Sequence, residues 1–180
     1  MCNNTIGTFT DHRDGRVYKT VIIGTQTWMA ENLDYNAKDS KYYKDDPDKY
    51  KKYGRLYDWN TATANGFAPL GWHLPKKIEW EILLDAVGGS LTAGTVLKSK
   101  SGWNKNNGTD NSDFSALPGG YYSCGKKEFY KAHSNGLWWS ADANDTTPSS
   151  AHYYHIDSSA TIHSRSGTKY NLYSVRCVQD

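Results

Sequence analysis

Gly71-Trp72-His73-Leu74-Pro75, running on through Lys76-Lys77-Ile78-Glu79-Trp80-Glu81-Ile82-Leu83-Leu84-Asp85-Ala86-Val87-Gly88-Gly89, is the stretch on which the fold turns. Pro75 suits an early helical position, where its fixed φ is already right and its missing N–H is not needed. Trp80, Leu83, Leu84 and Val87 then recur at i, i+3, i+4 and i+7 as one apolar stripe, and Gly88-Gly89 ends it. A second helix is predicted over Arg55–Ala64, with Leu56, Trp59 and Thr63 near one face and Gly66 just beyond. A short third is expected around Thr92–Leu97.

Upstream the pattern is strand. Asp14-Gly15 is a hairpin signal between Phe9–His12 and Arg16–Ile23, and Gly24-Thr25 turns the chain into Gln26–Ala30. Residues 38–52, rich in Lys and Asp and broken by Pro47, read as a solvated loop whose tyrosines show no periodic face. Downstream, Trp103–Asp113 is a polar loop. Leu137–Ser140, His152–Asp157, Ala160–Arg165 and Tyr170–Val178 read as strands. Strands, two main helices, then loop-rich strands predict one α+β domain over 9–180 behind a tail at 1–8.

Composition narrows the function. The 180 residues hold seven Trp, fourteen Tyr and four Phe but two Met. That is too aromatic for a disordered chain and too poor in aliphatic periodicity for a bundle. A net charge of +2, and no Lys or Arg in 140–164, give no electrostatic case for nucleic acid. No apolar run of about 18 residues predicts a transmembrane segment. Trp28, Trp59, Trp72, Trp80 and Trp138 fall in strand or helix words and are expected in the core. Trp103, Asn104, Tyr121, Tyr122, Tyr130, Tyr153 and Tyr154 lie in or beside loops and are the candidate ligand contacts. Aromatic faces stack on sugars and equally dominate protein hot spots.

Metal chemistry has one candidate. The 103–113 loop offers hard oxygen ligands for calcium, with Asn107, Asp110 and Asp113 foremost; its spacing is not an EF-hand, and the same residues also form turns for local reasons. If Ser158-Ser159 is a two-residue turn, His152, Tyr154, His163 and Arg165 share one strand face, and a solvent-facing polar surface outweighs a metal site there. No nucleophile turn of the Gly-x-Ser-x-Gly kind occurs. No signal peptide is present in this chain. Met1-Cys2-Asn3-Asn4 has the form of a lipoprotein's mature start with a Met added, which makes Cys2 a candidate lipid-anchor site; an ordinary start with a chance Cys is the alternative.

Several words resemble the Fibrobacter succinogenes major paralogous domain. They include Asp14-Gly15-Arg16-Val17-Tyr18, Thr27-Trp28-Met29-Ala30-Glu31-Asn32-Leu33, Tyr53-Gly54-Arg55-Leu56-Tyr57, Gly71-Trp72-His73-Leu74-Pro75 and Glu79-Trp80-Glu81. Downstream come Ser101-Gly102-Trp103-Asn104, Phe114-Ser115-Ala116-Leu117-Pro118-Gly119-Gly120, Trp138-Trp139-Ser140-Ala141 and Ser174-Val175-Arg176-Cys177-Val178. The resemblance, and through it a distant likeness to formylglycine-generating-enzyme and C-type-lectin-like folds, implies a single lectin-like α+β domain: two main helices packed on small antiparallel sheets with long loops. It also implies a bacterial secreted or outer-surface location.

The departures matter. Ala68 stands where the family's Cys-Pro-x-Gly-Trp word carries cysteine, and the family's extra Cys pair is missing from the charged loop near Tyr43 and Tyr50. Cys177 therefore lacks the partner the resemblance implies. It is expected as a buried free thiol, with a Cys124–Cys177 bridge as the alternative. The related oxidases use cysteines close in sequence, which this chain does not have. The expectation is a non-enzymatic surface module recognising glycan or another surface protein through loops 103–113, 121–135 and 142–153. A structural envelope component and a diverged oxidase are the alternatives.

Overall fold

A tight turn at Asp14-Gly15, with Gly15 at φ 74°, opens the chain in the computed structural model, which describes residues 5–180. The candidate lipidation site Cys2 lies outside the described residues. The turn joins β1 (Ile6–Asp11) to β2 (Arg16–Ile23), which pairs onward with β3 (Gln26–Met29). β1 thus takes residues 6–8 from the expected tail, with Ile6 opposite Val21.

The charged segment is less solvated than its composition predicts. It contains α1 (Pro47–Tyr50), capped by Asp46, whose side chain accepts from Lys49 N, and it buries Tyr43, Tyr50 and Tyr53. These rings, with Leu56 and Leu172, form a small core of their own, Tyr43 and Tyr50 lying 4.8 Å apart. The predicted helix over Arg55–Ala64 is corrected. Leu56–Tyr57 is a strand, β4, and only Trp59–Ala62, α2, is helical, started by Asp58 accepting from Thr61 N. Leu56 and Tyr57 are both buried and pair with the C-terminal region, so tertiary pairing overrides the local helical pattern.

β5 (Trp72–His73) leads into α3 (Lys77–Ala86), which buries Trp80, Leu83 and Leu84 as the stripe predicts. Gly88 and Gly89, at φ 96° and 91°, end that turn of chain, and α4 (Ser90–Leu97) follows. The strands β6 (Tyr121–Ser123), β7 (Glu128–Tyr130), β8 (Gly136–Ala143), β9 (Ser150–Ile156), β10 (Ile162–Thr168), β11 (Tyr173–Ser174) and β12 (Val178–Gln179) complete the chain. Two corrections follow. The expected 121–135 loop contains the β6–β7 hairpin, and the loop expected over 142–153 shrinks to 144–149 because β8 and β9 extend into it.

One five-stranded sheet runs β1-β2-β3-β12-β5 and the other β10-β9-β8-β11-β4. The single terminal strand expected over Tyr170–Val178 is instead split between them. Residues 175–177 cross the gap with their backbone still satisfied, Leu33 N donating to Val175 O (2.8 Å) and Met29 N to Cys177 O (3.0 Å). Cys177 is a buried free thiol and Cys124 an exposed one, so no bridge joins them; burial pushes the Cys177 thiol up to about 12.

Strand alternation sends consecutive tryptophans of β8 to opposite cores. Trp138 packs with Trp80, Phe114 and Tyr154, and Trp139 with Tyr57, Tyr173 and Cys177. Both indoles are fully buried and both are satisfied, Trp138 Nε1 on Asn32 Oδ1 and Trp139 Nε1 on Tyr57 O, each at 2.8 Å. Asn32 Oδ1 also accepts from Arg176 Nε (3.2 Å) and Nη2 (2.9 Å), while Asn32 Nδ2 donates to Tyr53 O. Arg176 Nη1 donates to Phe114 O, and its guanidinium lies 4.2 Å from the Phe114 ring centroid.

Asn32→Leu would strand several buried donors, one of them cationic. It is expected to lower the unfolding free energy by about 3 kcal/mol in urea titration. In a double-mutant cycle with Arg176→Met the two losses should be far from additive. Additive losses would show that the amide and the guanidinium act independently.

Candidate functional site

The observed register of β9 against β10 decides which polar side chains gather. Tyr153 lies opposite Arg165 and His155 opposite His163, while on the other side Leu137 and Trp139 of β8 face His155 and Tyr153. Side chains of directly paired residues project from the same face, so Tyr153, His155, His163 and Arg165 share one. A two-residue turn at Ser158-Ser159 predicts a different set, and the structure corrects it. The connection runs 157–161, held by Lys98 Nζ on Ser159 O (3.0 Å) and Asn106 Nδ2 on Ser158 O (2.9 Å). That length shifts the pairing by one residue, and a slip of one residue exchanges the faces. Tyr154 therefore turns inward. It is 2% exposed and stacks on Trp80 at 4.7 Å, out of reach of a ligand.

The β6–β7 hairpin stands beside this face. Tyr122 exchanges backbone hydrogen bonds with Leu172 (3.1 and 3.0 Å), tying the hairpin to the chain just before β11. Alternation then separates the two tyrosines of β6. Tyr122 packs on Phe129 at 4.9 Å in the small tyrosine core, while Tyr121 stacks on Tyr130 at 5.6 Å and meets Tyr173 edge-on at 5.9 Å. Gly120 makes the approach feasible: at φ 67°, a Cβ there would fall 2.5 Å from Tyr130 O.

Between hairpin and sheet lies a cleft of about 400 Å³, walled by Tyr121, Tyr153 and Tyr173 and by Leu137, with Asn135, Asn171, His155, Ser123, Lys131 and Arg165 around it. Such a volume is within the range of roughly 300–1,000 Å³ in which small ligands are held. Asn171 Nδ2 donates to Tyr173 Oη (3.1 Å) and Asn171 Oδ1 accepts from Cys124 N (3.1 Å). Asn135 Nδ2 lies in hydrogen-bond contact with His155 Nε2. Burial, helped by Arg165 and His163 and opposed by Asp157, lowers the His155 pKa, so the imidazole is neutral at neutral pH and can accept that bond. Burial raises the Tyr153 and Tyr173 hydroxyls, which stay protonated donors. Lys131 and His133, both at φ 66°, hold the turn between β7 and β8 in a left-handed conformation uncommon for side-chain-bearing residues.

The sequence candidates thus divide. Tyr121 and Tyr153 line the cleft, with Tyr130 behind Tyr121. Trp103 is corrected to the core: it is 5% exposed, its Nε1 donates to Ala116 O (3.1 Å), and Lys98 lies against its ring. Asn104 is exposed, its backbone N donating to His133 O and its Nδ2 to Ser134 Oγ. It sits at the foot of the same turn but not in the cleft. Tyr173, Asn135, His155 and Lys131 were missed. The signal for Tyr173 and His155 is strand alternation, readable only once the register is known; Asn135 and Lys131 belong to the turn between β7 and β8, which only the tertiary fold brings to the cleft.

The candidate calcium loop is internally occupied. Asp110 accepts from Ser115 N and Oγ, each at 2.7 Å, and Asn107 Oδ1 accepts from Trp103 N (3.1 Å). Asp113 borders a separate cleft with Arg16, Lys19 and Lys52. Among the described residues no group of three or more His, Cys, Asp and Glu side chains is placed to hold a metal ion.

A second groove, of about 770 Å³, runs between Trp59, Trp72 and His73. His73 lies between two carboxylates there, Nε2 on Glu79 (2.7 Å) and Nδ1 on Asp180 (2.6 Å), and Glu79 also accepts from Lys76 N at the start of α3. His73 thus joins Asp180 to the start of α3.

Compared with known proteins, the chain matches the family model of the Fibrobacter succinogenes major domain over residues 21–179. No curated protein and no solved structure matches it.

Partial burial works against protonation of His73, but the hydrogen bonds and charges of Asp180 and Glu79 outweigh it and raise the pKa. A raised folded pKa contributes stability that is full below the unfolded value, about 6.5, and lost as pH climbs through the folded one. The melting midpoint of wild type should therefore exceed that of His73→Gln most at about pH 5.5 and least at about pH 9. A gap constant across that range would mean that folding leaves the proton affinity of His73 unchanged.

Proposed function

The chain belongs to the Fibrobacter succinogenes major domain family, and from that premise we propose that it is a non-enzymatic binding module, of lectin-like architecture, that recognises glycan in the cleft between the β6–β7 hairpin and β9 of the second sheet. One observation carries the reading. Three tyrosines, Tyr121, Tyr153 and Tyr173, converge on a cleft whose remaining walls supply amide, imidazole, hydroxyl and cationic groups. Aromatic faces accept the apolar CH side of a sugar ring, while amides and hydroxyls meet its equatorial oxygens; a purely apolar ligand would have no use for the polar half.

Rigidity supports it too. Tyr173 packs against Trp139 at 4.2 Å and Tyr153 at 4.7 Å, so the cleft floor is part of the core and a ligand would order little on arrival. A surface location, with Cys2 as a lipid anchor, fits a module whose binding face lies on the second sheet and its hairpin. These two expectations belong to the proposal. Catalysis is not needed to explain any group in the cleft.

Tyr121→Ala is expected to weaken binding at least about tenfold, since the residue is partly exposed and lends the cleft a ring face. Affinity electrophoresis against a panel of plant, algal and cell-wall polysaccharides measures this. Failure of wild type to be retarded by any of them, or equal retardation of wild type and Tyr121→Ala, would remove the reading.

A further inference from the structure

The charge around the cleft is one-sided. Lys131 and Arg165 line it, with His155 between the aromatic wall and Asn135, and no Asp or Glu is among the lining residues. Neither the Arg165 guanidinium nor the Lys131 ammonium has a hydrogen bond or ion pair with another described residue, whereas Arg13, Arg16 and Lys41 are all paired with aspartates. Two acids close by in the chain are turned to other partners. Glu128 accepts from Tyr130 Oη (2.7 Å) and Asp157 from Ser159 N (2.8 Å); both keep their charge, and among the described residues neither is ion-paired with Arg165 or Lys131.

Position matters as much as sign. Arg165 is the direct cross-strand partner of Tyr153, so its guanidinium extends on the same face as the ring a sugar would stack on. Lys131 is presented from a turn whose backbone is fixed. Ser134 N and Asn135 N both donate to Lys131 O, and residue 131 itself takes a positive φ at which glycine or asparagine is easier to place. A neutral sugar would be served by the two asparagines and the tyrosine hydroxyls alone. Two cations with no counter-charge are surplus to that requirement and complementary to an acidic one.

We propose that the cleft selects anionic sugars, residues carrying a carboxylate or a sulfate ester, with the ring seated against Tyr121 and Tyr153 and the anion met by Arg165 and Lys131. The proposal rests on the glycan reading of the same cleft and names its ligand class. Guanidinium offers a planar pair of donors to carboxylate or sulfate, which makes Arg165 the specificity determinant and Lys131 a supporting point charge.

The test is calorimetric titration of the whole chain with three sets of soluble oligosaccharides: uronate oligomers, sulfated galactan oligomers, and neutral xylo-, gluco- and manno-oligomers. Any uronate that binds is repeated as its methyl ester, which keeps the ring and removes the charge. Binding confined to the uronate or the sulfated set is expected, and which set binds identifies the anion. Arg165→Gln should then weaken it about tenfold, Lys131→Gln less, and Lys19→Gln, exposed on β2 of the other sheet, not at all. Arg165 is exposed, so the variant should melt with wild type.

Binding to neutral oligomers only, or unchanged affinity of the methyl ester, would overturn the anionic assignment and leave the glycan reading standing. Equal losses in Arg165→Gln and Lys19→Gln would overturn it as well, by showing unspecific charge attraction. Absence of binding to all three sets would instead remove the glycan reading itself.

Discussion

The Arg176 guanidinium is fully buried and, among the described residues, has no carboxylate in ion-pair contact, its charge met by a single amide oxygen, one backbone carbonyl and the face of a phenylalanine. Taking an ion out of water costs several kcal/mol, so its surroundings must be over-determined to hold it charged. Burial alone pulls its pKa down to about 9, with distant Asp110 and Glu31 opposing. Arginine rather than lysine tolerates this, because its delocalised charge is more weakly hydrated and its fork distributes several hydrogen bonds. Asn32 is the complement. Through one side chain it joins the segment after β3 to Tyr53, to β8 and to the crossing between β11 and β12.

The words that carry the family resemblance meet at that point. Glu31-Asn32-Leu33, Tyr53-Gly54, Phe114-Ser115, Trp138-Trp139 and Val175-Arg176-Cys177 are far apart in the chain and adjacent in the fold. They form a framework, and the aromatic cores on either side of β8 are built on it. Where the resemblance implies cysteines, packing is found instead. Ala68 adjoins the same cluster as the free Cys177, and Tyr43, Tyr50 and Phe129 fasten the charged segment to the hairpin. A cross-link constrains the unfolded chain; buried rings instead stabilise the folded one through the area they remove from water.

What could be read in advance followed from local rules. The stripe of α3, the first hairpin, the buried Trp28, Trp80 and Trp138, and the buried Cys177 each depend on spacing or residue type. The β6–β7 hairpin and the Asp46-capped α1 are local departures, and the others are long-range. Leu56-Tyr57 looks helical but pairs as a strand because β11 is beside it. Trp103 looks like a loop aromatic but finds a carbonyl acceptor in the core at Ala116. The polar face of β9 and β10 was predicted as His152, Tyr154, His163 and Arg165. The longer connection at 157–161, held by Lys98 and Asn106, made it Tyr153, His155, His163 and Arg165. Half of the expected site was right and its partners were one residue off, since strand faces alternate with a period of two.

From the sequence alone come the α+β composition, the family framework, the wealth of aromatics, and the exclusion of any electrostatic case for nucleic acid, because these depend on counts, periods and short words. Only the tertiary structure decides which aromatics are core and which line a cleft, since a ring's exposure is set by whatever packs over it. It likewise decides that Lys131 and Arg165 stand near each other without an acid between them. They are separated in the chain by β8 and β9, and no local rule places a turn residue and a strand residue along one cleft.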